Sequence, residues 1–293
     1  MNESHRENFG PKGFRPRPKT RRPGRGPKGP GGEGVPPADT SWDAVAGWYD
    51  KLVGDEGSDY HRNLVLPAAM RLLEPKGGER FLDLCCGQGV FTRLLMELEP
   101  PPAYVLAVDA SPRLIAAARQ RSGAGAGKSV RYEVADARYL GDLADGTFDG
   151  AVCLMAVQDL DDVERAFAQM GRALRPGGRA VIVMMHPCFR IPRQSSWEWD
   201  EVKKTQFRRL DRYATPMQIP IATHPGSAPG ENTTFFHRPL AEYLNALGKA
   251  GLAVAACEEP LTHRMTEPGG RSRGENRSRQ EFPVFLAMKA VKL

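Results

Sequence analysis

Three aspartates, Asp83, Asp109 and Asp136, each stand in or just after a short apolar run, and Gly87 and Gly89 lie between the first two. Carboxylates accept hydrogen bonds from hydroxyls and ammonium groups. Glycine lets a backbone turn tightly or come close to a ligand. The order apolar run, glycine turn, helical pattern aims backbone N–H groups at a ligand held at a helix start. Asp109 follows Gly89 by 20 residues, the spacing at which a carboxylate reaches ribose hydroxyls in doubly wound folds. These residues predict a pocket for a nucleotide-like ligand.

Two readings of that pocket compete. A dinucleotide fingerprint needs a third glycine three positions after the second, and Thr92 stands there. The Tyr-x-x-x-Lys spacing of many short-chain dehydrogenases occurs nowhere in the chain. The ordered set Asp83-Leu84-Cys85-Cys86-Gly87-Gln88-Gly89, Val108-Asp109-Ala110-Ser111, Ala135-Asp136-Ala137, Phe148-Asp149 and Leu174-Arg175-Pro176-Gly177-Gly178 resembles the motifs of class I S-adenosylmethionine-dependent methyltransferases. The similarity covers roughly residues 41–293, and its outline is closest to small-molecule methyltransferases that include quinone-biosynthesis C-methyltransferases. The family usually has glycine where Cys85 stands.

The resemblance implies S-adenosyl-L-methionine as cofactor and a small-molecule methyl acceptor. Asp83, Gly87 and Gly89 would line the methionine end, Asp109 and Ala110 the ribose, and Asp136 with Ala137 the adenine edge. Tyr49 would lie over the pocket, and Met155 would join the set from the end of the fourth strand. His186, at the end of the fifth strand, is the candidate general base, since histidine takes a proton near neutral pH. A structural histidine bonding the cap is the other reading. Gln158, Asp159, Tyr213, His224 and His237 are weaker candidates. Cys188 after Pro187 matches the nucleophile position of cytosine-5 RNA methyltransferases, but Met155-Ala156-Val157-Gln158 lacks their second Pro-Cys.

The elements that must position these residues follow from periodicity. Residues 41–55 and 59–73 predict two helices, the first with a Ser41 cap. Residues 81–84, 104–109, 130–134, 148–155 and 179–185 predict strands alternating with helices, hence a parallel α/β sheet of Rossmann-like, doubly wound type. Ser111-Pro112 predicts a helix start, as does Asp161 with Glu164 in a capping box. Pro176-Gly177-Gly178 is expected to end the latter helix. A helix from Leu240 and strands over 252–257 and 282–291 predict an antiparallel C-terminal pair. Residues 187–236 break the rhythm and are expected to form a substrate-cap insertion; residues 261–281 read as a basic loop.

Charge separates the chain into two parts. Residues 1–37 carry nine Lys or Arg and three Glu, which is +6; the remainder carries 32 of each sign and is neutral. With eight Pro and eight Gly, residues 1–40 predict a disordered tail ahead of a domain over 41–293. Such a tail could deliver an RNA- or ribosome-directed methyltransferase through salt-dependent phosphate contacts, or could simply be solvated; a non-catalytic cofactor-binding module is a third reading. Five cysteines without a C-x-x-C pair favour reduced thiols in a cytoplasmic protein and give no metal motif. No apolar run reaches the ~18 residues of a membrane span.

Overall fold

The computed structural model describes residues 42–123, 127, 129–221 and 232–293. The predicted tail, the Ser41 cap and His224 lie outside these residues. The frame is a seven-stranded sheet of β1 (Arg80–Leu84), β2 (Tyr104–Asp109), β3 (Val130–Val134), β4 (Phe148–Leu154), β5 (Leu174–Met185), β10 (Leu252–Glu258) and β11 (Phe285–Lys292). Its order is β10-β11-β5-β4-β1-β2-β3. The five strands β1 to β5 are parallel, and β11 pairs antiparallel with both β5 and β10. The predicted doubly wound sheet with an antiparallel C-terminal pair is therefore present.

Both faces of the sheet are covered, which is why its strands read as apolar runs rather than alternating ones. Leu82 and Leu84 point to one face, where they join Phe148, Ile182 and Met288 beneath α5 (Val163–Ala173) and α6 (Leu240–Lys249). Phe81, Val105, Val181 and Phe285 point to the other, beneath α2 (Leu66–Leu73) and α3 (Val90–Met96). Burial of each such side chain contributes about 1.5–3 kcal/mol. Asp83, between Leu82 and Leu84, lies on the α3 side by alternation.

Four local expectations are corrected. The helix after β4 is capped by Asp162, which accepts the Arg165 N–H at 2.9 Å; Asp161 instead pairs with Arg138. That helix ends at Ala173, and Pro176-Gly177-Gly178 belongs to β5, within the register shift between the Phe148–Leu174 and Gly150–Arg179 pairings. The second helix opens with a π-turn, His61–Val65, before Pro67 enters the first turn of α2. The basic stretch 261–281 contains α7 (Ser272–Arg279). Within 187–236 the chain forms two hairpins, β6 (Ser195–Asp200) with β7 (Thr205–Leu210), and β8 (Met217–Ile221) with β9 (Thr233–His237).

Candidate active site

β1 delivers Asp83 and then the glycine turn to the carboxyl edge of the sheet. Cys85, Gly87 and Gly89 all take left-handed φ, at 55°, 56° and 79°. The position where the resembled family has glycine is thus one where the backbone favours it. Gly87 and Gly89 are also hemmed in: a Cβ on Gly87 would lie 3.1 Å from the Tyr49 ring, and one on Gly89 would lie 2.9 Å from the Tyr132 hydroxyl.

β2 ends on Asp109, which is buried and ties two turns together. Its Oδ2 accepts the Gly87 N–H at 2.9 Å and its Oδ1 accepts the Ser111 N–H at 2.8 Å. Ser111 then caps α4 (Pro112–Ser122) by accepting the Leu114 N–H, as its sequence predicts. Ala110 occupies the turn between them. Beyond β3, the Ala135 N–H donates to the Asp109 carbonyl at 3.0 Å, which sets Asp136 and Ala137 beside the same edge. The Asp136 carboxylate is held by Arg138, with Nη2 at 2.6 Å. Burial would raise its pKa, but that guanidinium and the Arg138 N–H keep it below the usual carboxylate value.

α1 (Trp42–Val53) covers the turn and is latched in place. The Asp43 carboxylate accepts from the Ser111 hydroxyl at 2.6 Å and the Arg113 N–H at 3.0 Å, while Arg121 donates to Asp50 at 2.7 Å. Gln88 Nε2 donates to the Gly54 carbonyl at 2.5 Å. The latch sets Tyr49 against Gly87. Burial, then the fields of Asp109, Asp159, the Cys86 thiol and Asp83, push the Tyr49 phenol well above its ordinary pKa.

Asp83 is 2% exposed and accepts from the Thr92 hydroxyl at 2.6 Å. Burial raises its pKa to about 7, against the lowering effect of Thr92. Burial likewise raises Asp109, and holds Asp159 well above the carboxylate range. Asp83, Asp109 and Asp159 therefore share one neighbourhood around Tyr49, and among the described residues none of the three forms an ion pair. The buried Gln88 Oε1 and Gln158 Oε1 accept no hydrogen bond. Met155, at φ 58°, donates its N–H to the Val183 carbonyl at 2.6 Å and holds the end of β4 beside this group.

His186 stands apart from the carboxylates, on the β5 side. It is 2% exposed. Its Nε2 lies 2.8 Å from Glu259 Oε1, and its Nδ1 accepts the Cys188 N–H at 3.2 Å. The Nδ1 lone pair is thus in use, and the ring carries its proton on Nε2, toward Glu259. Burial lowers its pKa and Glu259 partly restores it. Tyr213 and His237 serve the cap: Tyr213 accepts the Leu240 N–H at 3.0 Å, and His237 Nε2 donates to the Tyr213 carbonyl at 2.7 Å. Thr92, Tyr132, Asp43 and Glu259 escaped sequence reasoning, because each joins the site from another element and carries no motif spacing.

A buried, acceptor-rich group of side chains around a glycine turn suits a ligand bearing hydroxyls, an ammonium and a second positive centre. A methyltransferase-domain family model matches residues 82–182. A 2-phytyl-1,4-naphtoquinone methyltransferase of Synechococcus elongatus is 32% identical over 146 residues, 50% of this chain and 62% of that protein. The chain thus spans less than two thirds of this relative's length. A protein of the same name from Thermosynechococcus vestitus is 31% identical over 187 residues, covering 64% of this chain and 76% of the relative. The solved S-adenosylmethionine-dependent methyltransferase of Mesorhizobium loti is 30% identical, with a TM-score of 0.60 over 77% of this chain and 98% of that one. The chain belongs to the class I S-adenosylmethionine-dependent methyltransferases.

Proposed function

We propose that the chain transfers a methyl group from S-adenosyl-L-methionine to a small-molecule acceptor. The observation that carries this reading is the buried carboxylate group of Asp83, Asp109 and Asp159 around a glycine turn, with Asp109 bonded to Gly87. A sulfonium cofactor supplies an electrophilic methyl group and a positive charge that such a pocket favours. Asp109 and Ala110 hold the ribose, Asp83, Gly87 and Gly89 the methionine end, and Asp136 with Ala137 the adenine edge. Tyr49 and Met155 close the pocket from α1 and β4. Because His186 uses both ring nitrogens, we assign it to fixing the turn after β5 and the Glu259 carboxylate.

The names of the relatives favour a ring-bearing acceptor of quinone type. Residues 41–293 form the methyltransferase domain in this reading, and the hairpins within 187–236 cover its acceptor side. Five free cysteines fit a reducing compartment such as the cytoplasm. Among the described residues, no helix is long and apolar enough to cross a membrane, and no group of three His, Cys, Asp or Glu could hold a metal ion.

The test is calorimetric titration with S-adenosylmethionine, followed by transfer of labelled methyl to reduced 1,4-naphthoquinone and other small rings. Saturable cofactor binding with labelled product is expected. Absence of cofactor binding to the folded protein would sink the reading.

A further inference from the structure

Beyond β5 lies a cleft that no motif residue lines. Its walls come from five separate segments: Tyr60, the Phe189-Arg190 turn, the β6–β7 hairpin, Thr262, and the end of α7 through Val284. Three of its aromatic residues, Phe189, Phe282 and Trp197, form a chain. Phe189 meets Phe282 edge-on at 5.5 Å, Trp197 meets Phe282 edge-on at 5.5 Å, and Phe189 lies tilted 4.7 Å from the His186 ring.

The same cleft holds Arg190, Arg208 and Arg279, all half-buried, and no Asp or Glu lines it. Arg208 donates to the Phe189 carbonyl at 2.9 Å and the Ser195 hydroxyl at 2.7 Å, and its guanidinium lies 5.0 Å from the Trp197 ring centre. The Arg279 Nε is buried without a hydrogen-bond partner. No ion pair is present for any of the three among the described residues, although 19 such pairs occur elsewhere in them. Burial pushes the pKa of Arg190 down, and burial with the neighbouring Arg190 charge does the same for Arg208. Guanidinium groups gathered without a carboxylate carry a cost that an anion relieves.

We propose that this cleft, about 50 Å³ in volume, receives the anionic group of the methyl acceptor, a carboxylate or phosphate carried on a planar ring that lies against its aromatic rim. The aromatic chain takes the ring face, and Arg190, Arg208 and Arg279 take the anion through charge-assisted hydrogen bonds. The cleft lies beside the Phe189-Arg190 turn that follows β5, and β5 is separated from β1 and its glycine turn by β4 alone, roughly 10 Å between strand axes, while Val284 leads into β11, one strand further out. Naming the ligand as the acceptor rests on the proposed methyl transfer; the anion site does not.

The experiment titrates the full chain with 1-naphthoate, 1-naphthyl phosphate and 1-naphthol, with and without S-adenosylhomocysteine, by calorimetry and tryptophan emission. The two anions are expected to bind at least about tenfold more tightly than the neutral alcohol, and their order tells carboxylate from phosphate. Arg190→Gln and Arg208→Gln should each remove most of that preference, whereas Arg273→Gln, outside the cleft, should leave it intact. Equal affinity for all three rings, or a preference that survives both cleft variants, overturns the proposal. The wild-type series decides even if a variant fails to fold. If cofactor binds but no anion does, the cleft assignment falls and methyl transfer stands. If the anions bind as expected but cofactor does not, the methyl-transfer reading falls and the anion site stands.

Discussion

The Asp109 carboxylate accepts the Gly87 N–H at 2.9 Å, a bond that joins the end of β2 to the turn after β1. The same carboxylate takes the Ser111 N–H at 2.8 Å, so one side chain shapes both turns that face the cofactor. Asp109→Asn retains one acceptor oxygen and loses the charge. A hydrogen bond to a charged group is worth about 1.5–3 kcal/mol. Cofactor affinity should fall by roughly tenfold or more, with a loss of thermal stability in the absence of cofactor. Calorimetry and a melting curve check both. Unchanged affinity would remove Asp109 from the binding set.

Asp83 gives the protein a pH signature. Its folded pKa is about 7 against an ordinary 3.8. The folded state therefore holds a proton that the unfolded chain has released. The stability this contributes is complete below about pH 4 and is lost as the pH rises through 7. Asp83→Asn should flatten that fall between about pH 4 and 7 and leave the variant more stable than wild type, by an order of a few kcal/mol, above pH 7. Melting temperatures across that range provide the measurement; parallel curves for the two proteins would refute the assignment.

Cys85 sits at φ 55°, where a side chain costs about 1–2 kcal/mol. Glycine removes that cost but loses the sulfur's packing against the core and regains chain entropy on unfolding. Cys85→Gly should thus shift stability by no more than about 1 kcal/mol. Cys85→Val places a β-branched residue in the left-handed region and should cost more than about 2 kcal/mol. Chemical denaturation compares the two; equal losses would show that packing, not backbone strain, governs the position.

The fold was largely legible in the sequence because buried parallel strands and amphipathic helices write themselves as apolar runs and helical repeats. β1 to β5 and the Ser111 cap are of this kind. Not every motif residue speaks of the ligand, however. Asp149 accepts the Arg80 N–H at 2.8 Å and the Arg175 Nε–H at 2.6 Å, which ties the starts of β1, β4 and β5 at the edge opposite the glycine turn. α7 was illegible because its sequence, Ser272-Arg273-Gly274-Glu275-Asn276-Arg277-Ser278-Arg279, has no apolar face. Tertiary contacts form it instead. Gly274 lies under Trp199, where a Cβ would come within 2.9 Å of the indole, and the buried Ser278 hydroxyl donates to the Gln206 carbonyl. The arginine cleft was hidden for a related reason: Arg190, Arg208 and Arg279 lie on three segments that only the folded chain brings together.

His186 allows its two roles to be separated. Its Nδ1 accepts the Cys188 N–H and its Nε2 faces Glu259. A positioning role predicts that His186→Gln, whose side-chain amide offers one acceptor and donors, retains a substantial part of turnover, while His186→Ala loses about tenfold or more and also loses stability, because Glu259 and the Cys188 N–H lose their partner. Cofactor affinity should be unchanged in both, since the ring's hydrogen bonds go to Glu259 and Cys188 rather than to a residue assigned to the cofactor. Direct proton abstraction predicts something different: both variants would lose turnover alike, and activity would follow the deprotonation of a single group. The pH profile of kcat, read beside the Kd for S-adenosylmethionine, therefore separates a histidine that holds the acceptor side in shape from one that takes the proton itself.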